Sequence, residues 1–219
     1  VLVMVTGVAF TLTGCGNDNF IAKFSKNVNE YNMEITVDEI NHTAKVKQSV
    51  RYINKTDTCL DNICFHLYPN SFAKGVANKP VSVLYENKAY PNGDSFGGIE
   101  VNSVKIGGKE CQTTLMGTDK TIMSVTLSNE LYPTDSATIE FEYTLTLPNI
   151  NHRFGYGDNT ICFGNFYPIA CVFENGNFVT DEYHYNGDPF YSDMANYNVV
   201  INNCILIIFV FFKCVTNKY

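Results

Sequence analysis

The sequence contains no tryptophan, and only 17% of its 219 residues are charged, with 15 basic and 22 acidic side chains. The basic residues are scattered and form no Lys/Arg-rich patch, which excludes a nucleic-acid-binding groove. There is no Gly-x-Ser-x-Gly motif and no complete dinucleotide fingerprint, which excludes the nucleophile elbow and the Rossmann loop. These absences leave no recognisable catalytic motif in the chain.

The sequence is rich in apolar and aromatic residues. Apolar residues make up 45% of the chain and aromatic residues 14%, nearly all of them Tyr and Phe, so the chain can form a real core. Together with many Val, Ile and Thr residues, this composition favours strands over helices. The formal net charge of -7 favours a soluble monomer but says little about a substrate.

The eight cysteines form no C-x-x-C pair, which argues against a zinc ribbon. Cys15 has a separate role, described below, and the other seven are an odd number, which argues against a complete disulfide framework. Small buried apolar residues are the favoured interpretation. Two disulfides remain open alternatives, namely Cys59 with Cys64 and Cys162 with Cys171.

The N-terminal residues have the character of a targeting signal. Residues 1–12 are an apolar run too short to span a bilayer, and Leu12-Thr13-Gly14-Cys15 resembles a bacterial lipobox. We therefore expect a signal peptide at 1–15, lipidation of Cys15, and a polar tether at 16–30. This predicts an extracytoplasmic bacterial protein that is lipid-anchored to the cell membrane. The alternative is a buried first strand that ends at Gly-Cys.

From residue 31 onward the side chains alternate between apolar and polar. Residues 31–37 and 44–52 show this period of two and predict an antiparallel hairpin. Further strands are predicted at 60–68, 99–106, 111–116, 121–127, 137–147, 161–173, 178–185 and 197–201, with a long loop and one helical turn at 71–98. No window has a helical period. The pattern predicts an all-β fold, an antiparallel β-sandwich.

Three segments resemble the non-catalytic N-terminal domain of M1 family (gluzincin) zinc aminopeptidases. They are 31–54 (YNMEITVDEINHTAKVKQSVRYIN), 63–72 (ICFHLYPNSF) and the block 163–201, which includes FGNFYPIACVFENG and GDPFYSD. The resemblance covers about 31–203 and rests on the order and spacing of the segments, with Phe166 where the family often has Trp. It implies a saddle-shaped β-sheet domain.

The resemblance also implies what this chain does not carry. The family's catalytic domain follows this one and supplies a His-Glu-x-x-His zinc site and a Gly-x-Met-Glu-Asn loop, and neither motif is present here. We therefore expect no cofactor in this chain, with zinc held only by a catalytic domain that lies elsewhere. The expected partners are that catalytic domain and, through it, a peptide substrate. The implied domain-seam aromatic residues are Phe166, Tyr167, Phe190 and Tyr191.

After Asn203 the resemblance stops, and 204–219 (CILIIFVFFKCVTNKY) is predicted to be an irregular apolar tail produced by truncation or a frameshift. Two other functions stay open: a stand-alone lipoprotein β-sandwich that binds glycan, peptide or protein, and a gene remnant without activity. His66 and His184 are interpreted as partly exposed structural histidines. One group of carboxylates is interpreted as part of a solvated loop, with a calcium site as a minor alternative. These residues are Asp181, Glu182, Asp188 and Asp193.

Overall fold

A computed structural model describes residues 27–186, 190–202 and, for the main chain alone, 207–211. Within these residues the strands are β1 (Asn29–Asp38), β2 (Thr43–Ile53), β3 (Leu60–His66), β4 (Gly98–Ile106), β5 (Lys109–Glu110), β6 (Thr113–Met116), β7 (Ile122–Leu131), β8 (Ser136–Thr146), β9 (Phe154–Tyr156), β10 (Thr160–Gly164), β11 (Ile169–Ala170), β12 (Phe173–Glu174), β13 (Asn177–Phe178), β14 (Ala195–Asn202) and β15 (Ile207–Phe211). The helical segments are short: 3-10 turns at Tyr68–Phe72 and Val83–Tyr85, and α1 (Glu86–Ala89). None of the helices in these ranges has the length and apolar character that a membrane crossing requires.

The largest sheet has six strands in the order β14-β1-β2-β8-β4-β5. The predicted alternation is confirmed in β1, where every second side chain is buried and the others face outward. The β1–β2 hairpin turns where the Asp38 carboxylate accepts the main-chain N–H groups of Ile40 and Asn41, at 3.1 and 3.0 Å. His42 then takes a positive φ of 51°.

The second sheet has four strands in the order β11-β3-β7-β6. It packs on the first sheet through a shared apolar core, in which Phe65 of β3 meets Phe141 of β8 edge-on with ring centroids 4.9 Å apart. Gln48 of β2 crosses the same interior and donates from Nε2 to the carbonyl oxygen of Pro168 at 3.0 Å. The all-β sandwich predicted from the sequence is therefore confirmed.

Two strand pairings depart from a purely antiparallel arrangement. β14 lies parallel to β1 at the sheet edge, and β15 lies parallel to β10 in a small sheet with β9. The hairpin predicted from 161–173 and 178–185 is much shorter than expected. Antiparallel pairing around its turn is limited to β12 and β13, where Phe173 pairs with Phe178 and Glu174 with Asn177. The predicted first arm is divided among β10, β11 and β12, and residues 179–185 form no strand.

The long loop at 71–98 contains the predicted helical turn, α1, and is held at two points. The Asp119 carboxylate accepts main-chain N–H groups from Ala77 and Asn78 at 2.6 and 2.8 Å. Asn151 donates its main-chain N–H to the carbonyl oxygen of Ala89 at 2.8 Å. In addition, Tyr183, in the segment that follows β13, donates its hydroxyl to the carbonyl oxygen of Pro80 at 3.1 Å, so the loop lies beside that segment.

Candidate functional site

The segments that carry the family resemblance meet in the folded chain. Tyr68, at the end of the second segment, stacks on His66 with centroids 4.7 Å apart and meets Phe190 of the third segment edge-on at 4.8 Å. Its hydroxyl oxygen accepts the main-chain N–H of Tyr191 at 3.4 Å. The strand β3 also pairs with β11, which joins the same two segments through the main chain.

The first segment joins the third through a tyrosine cluster. Tyr31 stacks on Tyr197 at 5.2 Å and meets Tyr167 edge-on at 5.4 Å, while the Tyr167 hydroxyl donates to the Tyr197 hydroxyl at 2.9 Å. The Tyr31 hydroxyl oxygen accepts the main-chain N–H of Ala170 at 3.1 Å. Burial raises the pKa of both Tyr31 and Tyr167 well above the ordinary value, so these hydroxyls stay protonated and structural.

Polar side chains from the same segments serve the scaffold as well. Gln48 accepts the Tyr143 hydroxyl at 2.9 Å while donating to Pro168. Asn70 donates to the carbonyl oxygen of Lys120 at 2.8 Å and accepts the N–H of Ile99 at 3.1 Å. Because each group has its partner inside the fold, these residues position strands and are not free to bind a substrate.

Four aromatic residues were assigned by the resemblance to a domain seam: Phe166, Tyr167, Phe190 and Tyr191. The first three are buried by side chains of this chain, as where Phe166 packs against Phe163 with centroids 5.2 Å apart. Tyr191 is 42% exposed, and its hydroxyl donates to the Glu174 carboxylate, which raises the pKa of the Tyr191 phenol. Of the four, only Tyr191 presents a large surface, and its role at a seam stays a prediction.

Exposed apolar side chains flank Tyr191 on the same segment. Tyr185 and Met194 are 48% and 41% exposed, and Tyr85 on the facing loop is 62% exposed. Tyr85 and Tyr185 both line a cleft of about 460 Å³, which we name the tyrosine groove. Its lining residues are Pro80, Val81, Ser82, Tyr85, Lys88, Ala89, Asn151, His152, Tyr185 and Asn186.

The tyrosine groove is lined by one histidine, His152. Burial and the neighbouring Arg153 lower the pKa of His152 to about 4, so the imidazole is neutral at pH 7. Its Nδ1 is buried and has no hydrogen-bond partner among the described residues. Lys88 is the one lining residue with a full charge. A neutral imidazole in the same cleft as an ammonium group and two tyrosines suits a polar, partly aromatic ligand or a protein partner.

The other histidines do not form a site. The sequence predicts a partly exposed His66, and this is wrong: the side chain is 1% exposed, because Tyr68 and the segment around Phe190 cover the outer face of β3. Burial lowers the pKa of His66 to about 4. His184 is exposed and stacks on Tyr185 at 4.9 Å.

The three described acidic residues considered for calcium, Asp181, Glu182 and Asp193, form no metal-holding group. Glu182 accepts the main-chain N–H of Asp119 at 3.0 Å, which is a structural contact, while Asp181 and Asp193 are exposed. Asp188 lies outside the described residues. Within 27–186 and 190–202, no three His, Cys, Asp or Glu side chains are grouped to hold a metal ion. The lipidation candidate Cys15 also lies outside the described residues.

Comparison with known proteins finds similarity only among solved structures. No family model matches the chain, and no curated protein matches it. The M1 zinc metallopeptidase from Deinococcus radiodurans is similar at 15% identity over 55% of this chain and 20% of that one, with a TM-score of 0.33. Its mutant bound to a Tyr-Ser-Ala substrate gives the same identity, coverage and TM-score. A two-domain M1 zinc metallopeptidase mutant bound to L-tryptophan gives 16% identity, the same coverage and a TM-score of 0.32.

These similarities are low in identity and partial in coverage. The chain matches about a fifth of the length of each of those structures, so their activity and ligands remain properties of those proteins.

Proposed function

We propose that the β-domain of this chain is the N-terminal scaffold and substrate-cleft domain of an M1-like zinc metallopeptidase, an aminopeptidase. The observation that carries the proposal is the meeting of the three resembling segments. They lie far apart in sequence, yet Tyr68 contacts Phe190, and Tyr31 contacts both Tyr167 and Tyr197. Segments that match one family in order and also pack together support a single inherited unit rather than three chance matches.

In this proposal the domain contributes shape and not chemistry. The buried hydroxyls are held protonated and hydrogen-bonded, and the sequence has no His-Glu-x-x-His motif. Zinc would therefore be held by a separate catalytic domain, and the peptide substrate would be bound between the two domains. We assign Tyr185, Tyr191 and Met194 to contact with that catalytic domain, because they are large exposed apolar groups within ten residues of one another in sequence, and exposed apolar surface marks interaction sites.

The nucleotide sequence that follows the Asn203 codon tests this assignment. We expect a His-Glu-x-x-His run, with a later Glu, within the next few hundred codons of one of the three forward frames. Its absence from all three frames would overturn the assignment. As a protein-level check, the purified chain alone should bind no zinc stoichiometrically and release no amino acid from aminoacyl reporter substrates.

We also propose that the protein is extracytoplasmic and anchored through lipid on Cys15. The support is the sequence Leu12-Thr13-Gly14-Cys15 after an apolar run. Growth of an expressing bacterium with labelled palmitate should label the wild-type protein and not a Cys15→Ala variant. Equal labelling of both proteins would refute this anchor.

A stand-alone binding module is the second candidate, and the tyrosine groove is the observation that favours it. Tyr85, Tyr185 and Lys88 line the same cleft of about 460 Å³. If the downstream frames contain no zinc motif, binding of glycan and peptide libraries to wild-type and Tyr85→Ser/Tyr185→Ser protein becomes the deciding comparison.

A further inference from the structure

Two buried cysteines lie directly opposite each other on neighbouring strands. In the β3–β11 ladder His66 pairs with Ile169 and Phe65 with Ala170. The register continues by one pair, because the main-chain N–H of Cys171 donates to the carbonyl oxygen of Cys64 at 2.8 Å. Cys64 and Cys171 are therefore cross-strand partners.

Their geometry matches that of a disulfide bond. Hydrogen-bonded partners in an antiparallel ladder have Cα atoms about 5.5 Å apart, within the range of about 4.4–6.8 Å found for disulfides. Directly opposed side chains point to the same face of the sheet. Both cysteines pack in one small apolar cluster with Ile122, and both are free thiols in this structure.

The other pairings considered from the sequence do not have this geometry. Cys59 and Cys64 lie five residues apart on one extended segment, which separates their Cα atoms by roughly 16 Å. Cys162 faces Gly155 on one side and Phe209 on the other.

We propose that Cys64 and Cys171 form a disulfide bond that joins β3 to β11. The reaction removes two protons and two electrons from the two thiols, and a small-molecule disulfide accepts them and becomes two thiols. One cysteine thiolate attacks that disulfide and forms a mixed disulfide. The second cysteine thiolate then displaces the small thiol and closes the bond.

The timing of the reaction follows from burial. Burial raises the pKa of both thiols, so few thiolates exist once the chain has folded. Phe178 of the β12–β13 hairpin packs over the pair. The bond therefore forms during folding, before that hairpin closes, and the finished disulfide is shielded from reductants.

The bond would reinforce a weak point in the fold. β11 has only two residues, yet it holds the third resembling segment against β3. A cross-link that closes a loop of roughly 100 residues restricts the unfolded chain strongly.

The test is refolding of the full chain from denaturant in a glutathione/glutathione disulfide buffer, followed by alkylation and peptide mass spectrometry. We expect a Cys64–Cys171 cross-linked peptide, two hydrogen masses lighter than the two reduced peptides together, and a fall in Tm of about 10 °C after reduction. Glutathione disulfide added to protein that was folded in the reduced state should form the bond at least tenfold more slowly.

Matched variants separate this pair from the other cysteines. Cys59→Ser and Cys111→Ser should keep both the cross-link and the Tm difference, whereas Cys64→Ser should lose both. If wild-type protein refolded in glutathione disulfide has native circular dichroism but is alkylated at both Cys64 and Cys171, the proposal is wrong. A cross-link from either residue to a different cysteine would also overturn it.

Discussion

Acid should destabilise the fold through His66. An unperturbed histidine has a pKa near 6.5, whereas burial lowers the pKa of His66 in the folded chain to about 4. Between these values the unfolded chain binds more protons than the folded chain, so the free energy of unfolding falls as the pH falls. Above about pH 7 the imidazole is neutral in both states and contributes no pH dependence.

The magnitude follows from the two pKa values. The gap between 6.5 and about 4 corresponds to a loss of about 3 kcal/mol once the pH is below 4, and of about 2 kcal/mol at pH 5. Neither ring nitrogen of His66 has a hydrogen-bond partner among the described residues, so no hydrogen bond there compensates for protonation. The effect is large beside a typical total stability of about 5–15 kcal/mol.

Urea unfolding at pH 7.5 and pH 5.0, followed by circular dichroism, measures this loss. His66→Phe keeps a ring that can stack on Tyr68 and removes the titratable group, so it should reduce the difference between the two pH values by about 2 kcal/mol. At an m-value of about 2 kcal/mol per molar urea, that is a change of about 1 M in the midpoint difference. The control His184→Phe replaces an exposed histidine and should leave the wild-type difference in place. Equal pH dependence in wild type and His66→Phe would refute the reasoning.

Two further predictions address the core and the surface. Tyr143→Phe should lower the free energy of unfolding by about 1–3 kcal/mol in urea, because it leaves Gln48 Oε1 buried without its donor, and an unchanged stability would contradict that hydrogen bond. The double variant Tyr191→Ser/Met194→Ser should bind a separately expressed downstream catalytic segment at least tenfold more weakly, as measured by calorimetry. The control Ile40→Ser changes a side chain that is 89% exposed in the β1–β2 turn and should leave the affinity unchanged. Equal weakening by both variants would refute the proposed docking surface.

Local alternation was enough to predict the strands of the large sheet. In β1 and β2 one face is buried and the other is solvated, so the period of two appears in the sequence and sets the register. The tight turn after β4 is local as well, because Gly107 and Gly108 both have the positive φ that glycine adopts readily. These features depend on neighbours in sequence.

The same reasoning failed where both faces of the chain are covered. His66 lies on the polar side of the β3 pattern, but that side is covered because Tyr68 stacks on His66 and Phe190 packs against Tyr68. Phe190 is more than 100 residues away in the sequence, so the alternation within β3 cannot predict this contact. Every residue from Phe163 to Tyr167 is buried, so the sequence shows no alternation there. Without that signal the apolar run predicts one long strand. The parallel pairing of β14 with β1 was equally hidden, because it depends on a non-local register.

The candidate site was harder to predict than the fold because its residues were chosen by resemblance and not by exposure. Phe166, Tyr167 and Phe190 match the family pattern, yet all three are needed to fill the interior of this chain alone. A residue that is buried before a partner arrives contributes to a seam only by shaping the surface above it. Tyr185 and Met194 flank the matched Phe190–Tyr191 pair and remain exposed, so the energy of any docking must come from such neighbours. In the proposed assignment the resemblance therefore gives the segment to examine, and exposure identifies the side chains whose replacement tests it.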